Sequence, residues 1–256
     1  MTVKRRGQAT IFIIVAVIVV ALVVLIFMFW PKIVLKGGFD EKNPQAFMQT
    51  CLEDVLQEKV DVLSLQGGDL NPKHYFAYQG EQVEYLCYTN EFYKTCVMQQ
   101  PMLKKHIENE IKNSIKEDAN RCFNDLKNNY DKKGYVVSLT EGDIKIELLP
   151  KRIVTSFTHE LTLTKDGTEK YDSIRVILNN NLYELVSIAN SILNMEARYG
   201  DAETTIYMNY YRDLKVEKKK QSDGTTIYIV TDRNNQRKFQ FASRSIAWPP
   251  GYGINA

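Results

Sequence analysis

No acidic residue occurs before Asp40, and from Ile11 to Trp30 the chain carries no charge at all. Cysteine is scarce, four in 256 residues, and no two form a Cys-x-x-Cys pair, which argues against a structural zinc site of the usual spacing. Histidine is scarcer still. His74, His106 and His159 lie far apart, and although His159-Glu160 opens like the zinc-protease helix motif, Leu163 stands where the second histidine belongs. Gly-rich phosphate loops, the dinucleotide fingerprint and the G-x-S-x-G nucleophile turn are missing. No catalytic, cofactor-binding or metal-binding residue is assigned on these grounds, and no cofactor is expected. Glu108 and Glu110, two apart on a helix, point to different sides and make a poor acid–base pair. A carboxylate pair assembled from distant segments stays open, and with it an anchored hydrolase. Seven prolines and thirteen glycines are too few for a collagen-like or low-complexity chain, and a 44% hydrophobic content suits a folded one.

Charge is unevenly placed. Residues 1 to 36 hold Lys4, Arg5, Arg6, Lys32 and Lys36, a net of +5, so the remaining 220 residues carry 28 basic against 31 acidic side chains, a net of −3. The basic excess belongs to the N-terminal segment, and nucleic acid is not an expected partner.

The uncharged run from Ile11 to Trp30 contains sixteen Leu, Ile, Val or Phe among its twenty residues. A helix of that length is roughly 30 Å long, the thickness of a bilayer core. Insertion is favoured by about 5–10 kcal/mol when the side-chain contributions are summed. Cleaved secretory signals have shorter cores followed by a small-x-small site, and Trp30-Pro31-Lys32-Ile33 offers none. The expectation is a transmembrane helix over 11–30, with a cytoplasmic basic leader over 1–10, a joint over 31–42 and an extracellular domain over 43–256. Lys4, Arg5 and Arg6 set the orientation, and Trp30 suits the outer interface. The lipid bilayer is the first expected partner.

The stretch Lys4-Arg5-Arg6-Gly7-Gln8-Ala9-Thr10-Ile11-Phe12 resembles the N-terminus of archaeal prepilin-like proteins, in which a short basic leader precedes a peptidase site and a long apolar helix. The resemblance implies a cut between Gly7 and Gln8, with the apolar helix retained on the product. It departs from bacterial type IV pilins, which carry Glu five residues into the mature chain, where Phe12 stands here. The order of elements also resembles membrane-anchored archaeal proteins in which the same leader precedes a cysteine-bearing helix. That likeness implies location and no activity.

Cys51, Cys87, Cys96 and Cys122 all lie beyond the anchor. An even number in a domain placed outside the membrane reads as two disulfides, with three pairings open and four buried free thiols as the alternative. Cys87–Cys96 would close a short loop, and Cys51–Cys122 would join the apolar faces of two helices. The periodicity predicts one helix from Asn43-Pro44 to Gly67-Gly68, a second from Pro101 to Gly134, and a third from Asn181 to Gly200, resuming over 202–211. Two short strands are expected within 73–88, and longer ones at 135–139, 143–149, 152–163, 169–178, 214–220, 225–231 and 238–243. The expected fold class is therefore α+β: an N-terminal transmembrane helix, then an extracellular domain with a mainly antiparallel sheet and three helices.

Two surface features call for a reading. Lys218-Lys219-Lys220 with Arg212 and Lys215 is expected to be a solvated strand end whose lysines discourage strand pairing. Residues 75–93 hold Tyr75, Phe76, Tyr78, Tyr85, Tyr88, Phe92 and Tyr93, most of them expected in the core and an exposed subset forming a contact surface. The functional expectation is an anchored surface protein that tethers or makes protein contacts, with other surface proteins or copies of itself as partners. A pilin-like filament subunit processed after Gly7 is the alternative.

Overall fold

The computed structural model describes residues 14–17, 19–20 and 43–247. The leader with Gly7 and Gln8, the anchor ends Ile11 and Trp30, the joint and the Trp248–Gly253 tail lie outside the described residues. The chain divides into two units, Met1–Asp40 and Glu41–Ala256.

Helix α1 (Pro44–Leu65) starts where Asn43 accepts a hydrogen bond from the Ala46 amide at 2.9 Å and Pro44 fills the first position, which needs no donor. Met48, Leu52, Leu56, Val60 and Leu63 recur at three- and four-residue steps and are buried. Strands β1 (Tyr75–Tyr78) and β2 (Glu81–Tyr88) form a hairpin around Gln79-Gly80, both at positive φ as a two-residue primed turn requires. After β3 (Val97–Met98), α2 (Leu103–Ser114) and α3 (Lys116–Lys132) follow.

One helix was expected across this last region, and the structure breaks it at Ile115. Leu103, Ile107, Ile111, Ile115 and Ala119 are all fully buried, yet each four-residue step turns about 40° past a full circle. Such a stripe winds around the helix and meets different neighbours along its length: α2 packs on β5 (Ile144–Leu149) while α3 packs on α1 and β4 (Val136–Thr140).

The strands from 136 to 179 form a three-stranded antiparallel meander with a crease across its middle. On one side of the crease β4, β7 (Glu160–Thr164) and β8 (Thr168–Tyr171) pair in that order; on the other, β5, β6 (Arg152–Phe157) and β9 (Ile174–Asn179). The expected single strands 152–163 and 169–178 are each divided at this line. At the crease the Asp143 amide donates to Thr158 Oγ1 at 2.8 Å and the Thr158 amide to the Asp143 carbonyl at 3.0 Å. Gly142 is needed there, because a Cβ would sit 2.2 Å from the Thr158 carbonyl oxygen. His159 lies on the crease, buried and stacked on Phe123 with ring centroids 4.2 Å apart.

Burial depresses the His159 pKa below its usual 6.5, with a smaller opposing pull from Glu141. The folded state therefore binds this proton less readily than the unfolded chain, so stability present above pH 6.5 is lost as pH falls below it. A His159→Phe variant keeps the ring stack and should show a shallower acid limb in urea denaturation than the parent.

Helix α4 (Leu182–Tyr199) ends at Gly200, in the left-handed conformation, and the short α5 (Thr205–Tyr210) follows. Strands β10 (Leu214–Lys220), β11 (Thr225–Asp232) and β12 (Lys238–Arg244) complete a six-stranded sheet in the order β1-β2-β12-β11-β10, with β3 beside β2. All its pairings are antiparallel except that of β12 with β2.

The expected fold class needs correction on two counts. Among the described residues no helix is long and apolar enough to cross a membrane. Of the run 11–30 only residues 14–17 and 19–20 are described, all helical and exposed. Helix α1 has the length, but Glu53, Asp54, Glu58, Lys59 and Asp61 would place five charges in hydrocarbon. The helices also outnumber the three expected: α1 to α5 lie within 43–247, because α2 and α3 separate at Ile115 and α5 is distinct from α4. The mainly antiparallel α+β architecture stands.

Candidate functional site

Of the three pairings open to the cysteines, the structure holds Cys51–Cys122, which joins α1 to α3, and Cys87–Cys96, which closes the loop after β2. No cysteine is free among the described residues. The small loop is clamped at several points. The Cys96 amide donates to Ser245 Oγ at 3.1 Å, Lys94 bridges to Ile246, and Arg244 Nη1 donates to the Thr89 carbonyl at 2.7 Å. At its tip Phe92 is 61% and Tyr93 69% exposed, and Tyr93 has φ +62°, so the loop presents two rings outward on a fixed backbone.

The aromatic-rich stretch thus separates into two roles. Phe76, Tyr78 and Tyr88 pack against the cluster of Val83, Tyr85, Ile227, Ile229 and Ala242, and the Tyr85 hydroxyl lies 2.8 Å from Thr225 Oγ1. Phe92 and Tyr93 face solvent, as does the neighbouring Val97. The lysine run lies on β10, an edge strand, and is partly paired with two carboxylates. Lys215 and Lys219 pair with Glu217 at 3.0 and 3.1 Å, Lys218 pairs with Asp201, and Lys220 lies 3.8 Å from the same carboxylate.

A second constellation was not legible in the sequence. Asp69, Glu84 and His106 come from the turn after α1, from β2 and from α2, separated by 15 and 22 residues in the chain. Their ligand atoms lie within 4.8 Å of one another. Two glycines make the approach possible: a Cβ on Gly67 would sit 2.9 Å from Glu84 Cβ, and one on Gly68 would sit 3.0 Å from Ile107 Cγ1. Both have positive φ and close α1, the Gly68 amide donating to the Leu63 carbonyl at 2.9 Å. Asp69 Oδ1 accepts from the Asn71 amide at 2.6 Å, which leaves Oδ2 facing His106 Nε2 at 3.9 Å.

Glu84 is 8% exposed, and burial is the main reason its pKa rises to about 8. The charges of Asp69 and Glu110 push in the same direction, and a hydrogen bond from Gln100 opposes them. Because the folded pKa lies above the unfolded value of 4.5, the folded state holds this proton more tightly. Stability is full below pH 4.5 and declines as pH rises through about 8. The whole shift corresponds to roughly 4–5 kcal/mol, and partial solvent access brings the expected loss to on the order of 2–3 kcal/mol. With a chelator present, Glu84→Gln should flatten the decline between pH 5 and pH 9 in urea titrations.

Glu108 and Glu110 do diverge on α2. Glu108 Oε1 accepts from the Leu148 amide at 3.0 Å, whereas the charge of Glu110 acts on Glu84. No protein-family model, curated protein or solved structure matches the chain, so the reading rests on this geometry.

Proposed function

We propose that the chain is a membrane-anchored cell-surface protein whose disulfide-stabilised outer domain acts through protein contacts. The observation that carries this reading is the Cys87–Cys96 loop, which holds Phe92 and Tyr93 outward on a backbone clamped to the end of β12. A pre-ordered aromatic pair contributes large contact area while losing little conformational freedom on binding. Two disulfides are compatible with an oxidising exterior. The uncharged run 11–30 supports a lipid-embedded attachment, as do the exposed Ile14, Val15, Val17, Val19 and Val20 within it. The Lys4-Arg5-Arg6-Gly7-Gln8 leader favours a second form of the same reading, in which an archaeal prepilin-like peptidase cuts after Gly7 and the product joins a surface assembly of copies of itself.

The test is fractionation of cells expressing the full chain. The protein should stay in carbonate-washed membranes and enter solution only with detergent. Protease added to intact cells should digest the domain, and its cysteines should resist alkylation until reduced. Recovery in the soluble fraction with reactive thiols would end the reading. Mass spectrometry of the N-terminal peptide distinguishes its two forms, since a mature chain beginning at Gln8 marks processing. The double variant Phe92→Ser, Tyr93→Ser should fold normally and lose most cross-linking to neighbours in intact cells.

A further inference from the structure

We propose that Asp69, Glu84 and His106 bind one divalent transition-metal ion of the zinc class at the junction of α1, β2 and α2. The donor set is one imidazole nitrogen and two carboxylates, a combination suited to zinc and its neighbours and poorly matched to the all-oxygen shells of calcium or magnesium. Around an ion with bonds of about 2.1 Å, tetrahedral donors stand roughly 3.4 Å apart. The donors here lie within 4.8 Å of one another, with His106 Nε2 and Asp69 Oδ2 at 3.9 Å, so a closure of about 1.4 Å at most brings all three onto one ion.

An independent observation points to the same ligand. Glu84 Oε2 and His106 Nε2 are both buried and have no hydrogen-bond partner, although a buried polar atom is ordinarily paired. Both belong to the cluster, and a cation would satisfy both. Asp69 is already oriented by the Asn71 amide through Oδ1, the kind of supporting hydrogen bond that metal sites use. Glu110, one helical turn beyond His106, adds negative potential. Three protein ligands leave a fourth position for water or for a group supplied from outside. The bound ion would tie together three elements that Gly67 and Gly68 allow to meet.

The test uses the full chain in detergent, stripped with a chelator and then titrated with ZnCl2. One zinc per chain should survive dialysis, and zinc should raise the unfolding temperature. His106→Gln and Glu84→Gln should each weaken zinc binding at least tenfold and lose that rise. Cobalt should give a visible ligand-field band in the parent that is absent in His106→Gln. His74→Gln, at the exposed histidine nearest in sequence, should bind as the parent does. Both site variants should keep the two disulfides and the parent's circular dichroism. If Glu84→Gln fails to fold, the His106→Gln titration and the cobalt band decide the matter. Equal zinc affinity in parent and His106→Gln, or loss of binding in His74→Gln, would overturn the assignment.

Discussion

Replacing Cys51 and Cys122 with alanine is expected to cost about 4.4 kcal/mol, and the unfolding temperature should fall by roughly 9–18 °C. The bond spans 71 residues, so its main effect is on the unfolded chain, whose loop-closure entropy it removes. Cys87–Cys96 spans only nine residues, and the same relation gives it about 2.6 kcal/mol. Non-reducing urea titrations of the two double variants therefore have an expected order: the loss at 51/122 exceeds that at 87/96 by nearly 2 kcal/mol. Location reinforces the difference. Helix α1 packs on β9, β12, α2 and α3, and the bridge fixes it to α3 in the middle of that arrangement. Typical domains unfold with 5–15 kcal/mol, so this one bond is a large share of the total. A 51/122 variant as stable as the 87/96 variant would show that chain entropy is not the source.

Which features could be read from residues alone follows from how local their causes are. Helix α1 declares itself through the Asn43 cap, Pro44 and the buried positions from Met48 to Leu63, all of which act within one or two turns. The break at Ile115 does not, since its cause is the need of α2 and α3 to face β5 on one side and β4 on the other. The crease shows on one strand only: the expected strands 135–139 and 143–149 already part at Gly142, between β4 and β5, whereas neither Thr158 nor His159 opposite is a turn former. Asp69, Glu84 and His106 have no spacing signature, because three different elements bring them together. The aromatic stretch was legible as a mixture of core and surface. Its division into Tyr85 and Tyr88 inside and Phe92 and Tyr93 outside depended on where β2 stops and the clamped loop begins. The apolar run 11–30 has the strongest local signal of all, and most of it lies outside the described residues.

Glu196→Leu should destabilise the domain by about 3–5 kcal/mol, while Glu196→Gln should cost about 1 kcal/mol. Glu196 lies in the last turn of α4, almost wholly buried, and serves both of its oxygens. Tyr228 donates its hydroxyl to Oε1, and Ser243 donates to Oε2 at 3.0 Å. Leucine removes the charge but leaves two fully buried hydroxyls, on β11 and β12, without an acceptor, each worth about 1–3 kcal/mol. Glutamine keeps an acceptor for Tyr228 and can donate to Ser243, so the network survives with its polarity rearranged. Burial raises the Glu196 pKa, and the Tyr228 and Ser243 hydrogen bonds oppose that rise. A raised folded value means that the stability tied to this group is full on the acid side and declines as pH rises, so the glutamine variant should lose least, relative to the parent, at alkaline pH. The effect should also travel. Ser243 Oγ lies 3.6 Å from Cys96 Sγ, next to the clamp that fixes the Phe92-Tyr93 loop. Hydrogen exchange in Glu196→Leu should therefore rise first in residues 89–96 and along β12, while β5, β6 and β9 keep their protection. Uniform loss of protection across both regions would instead mean that Glu196 supports the whole domain and has no particular hold on the loop.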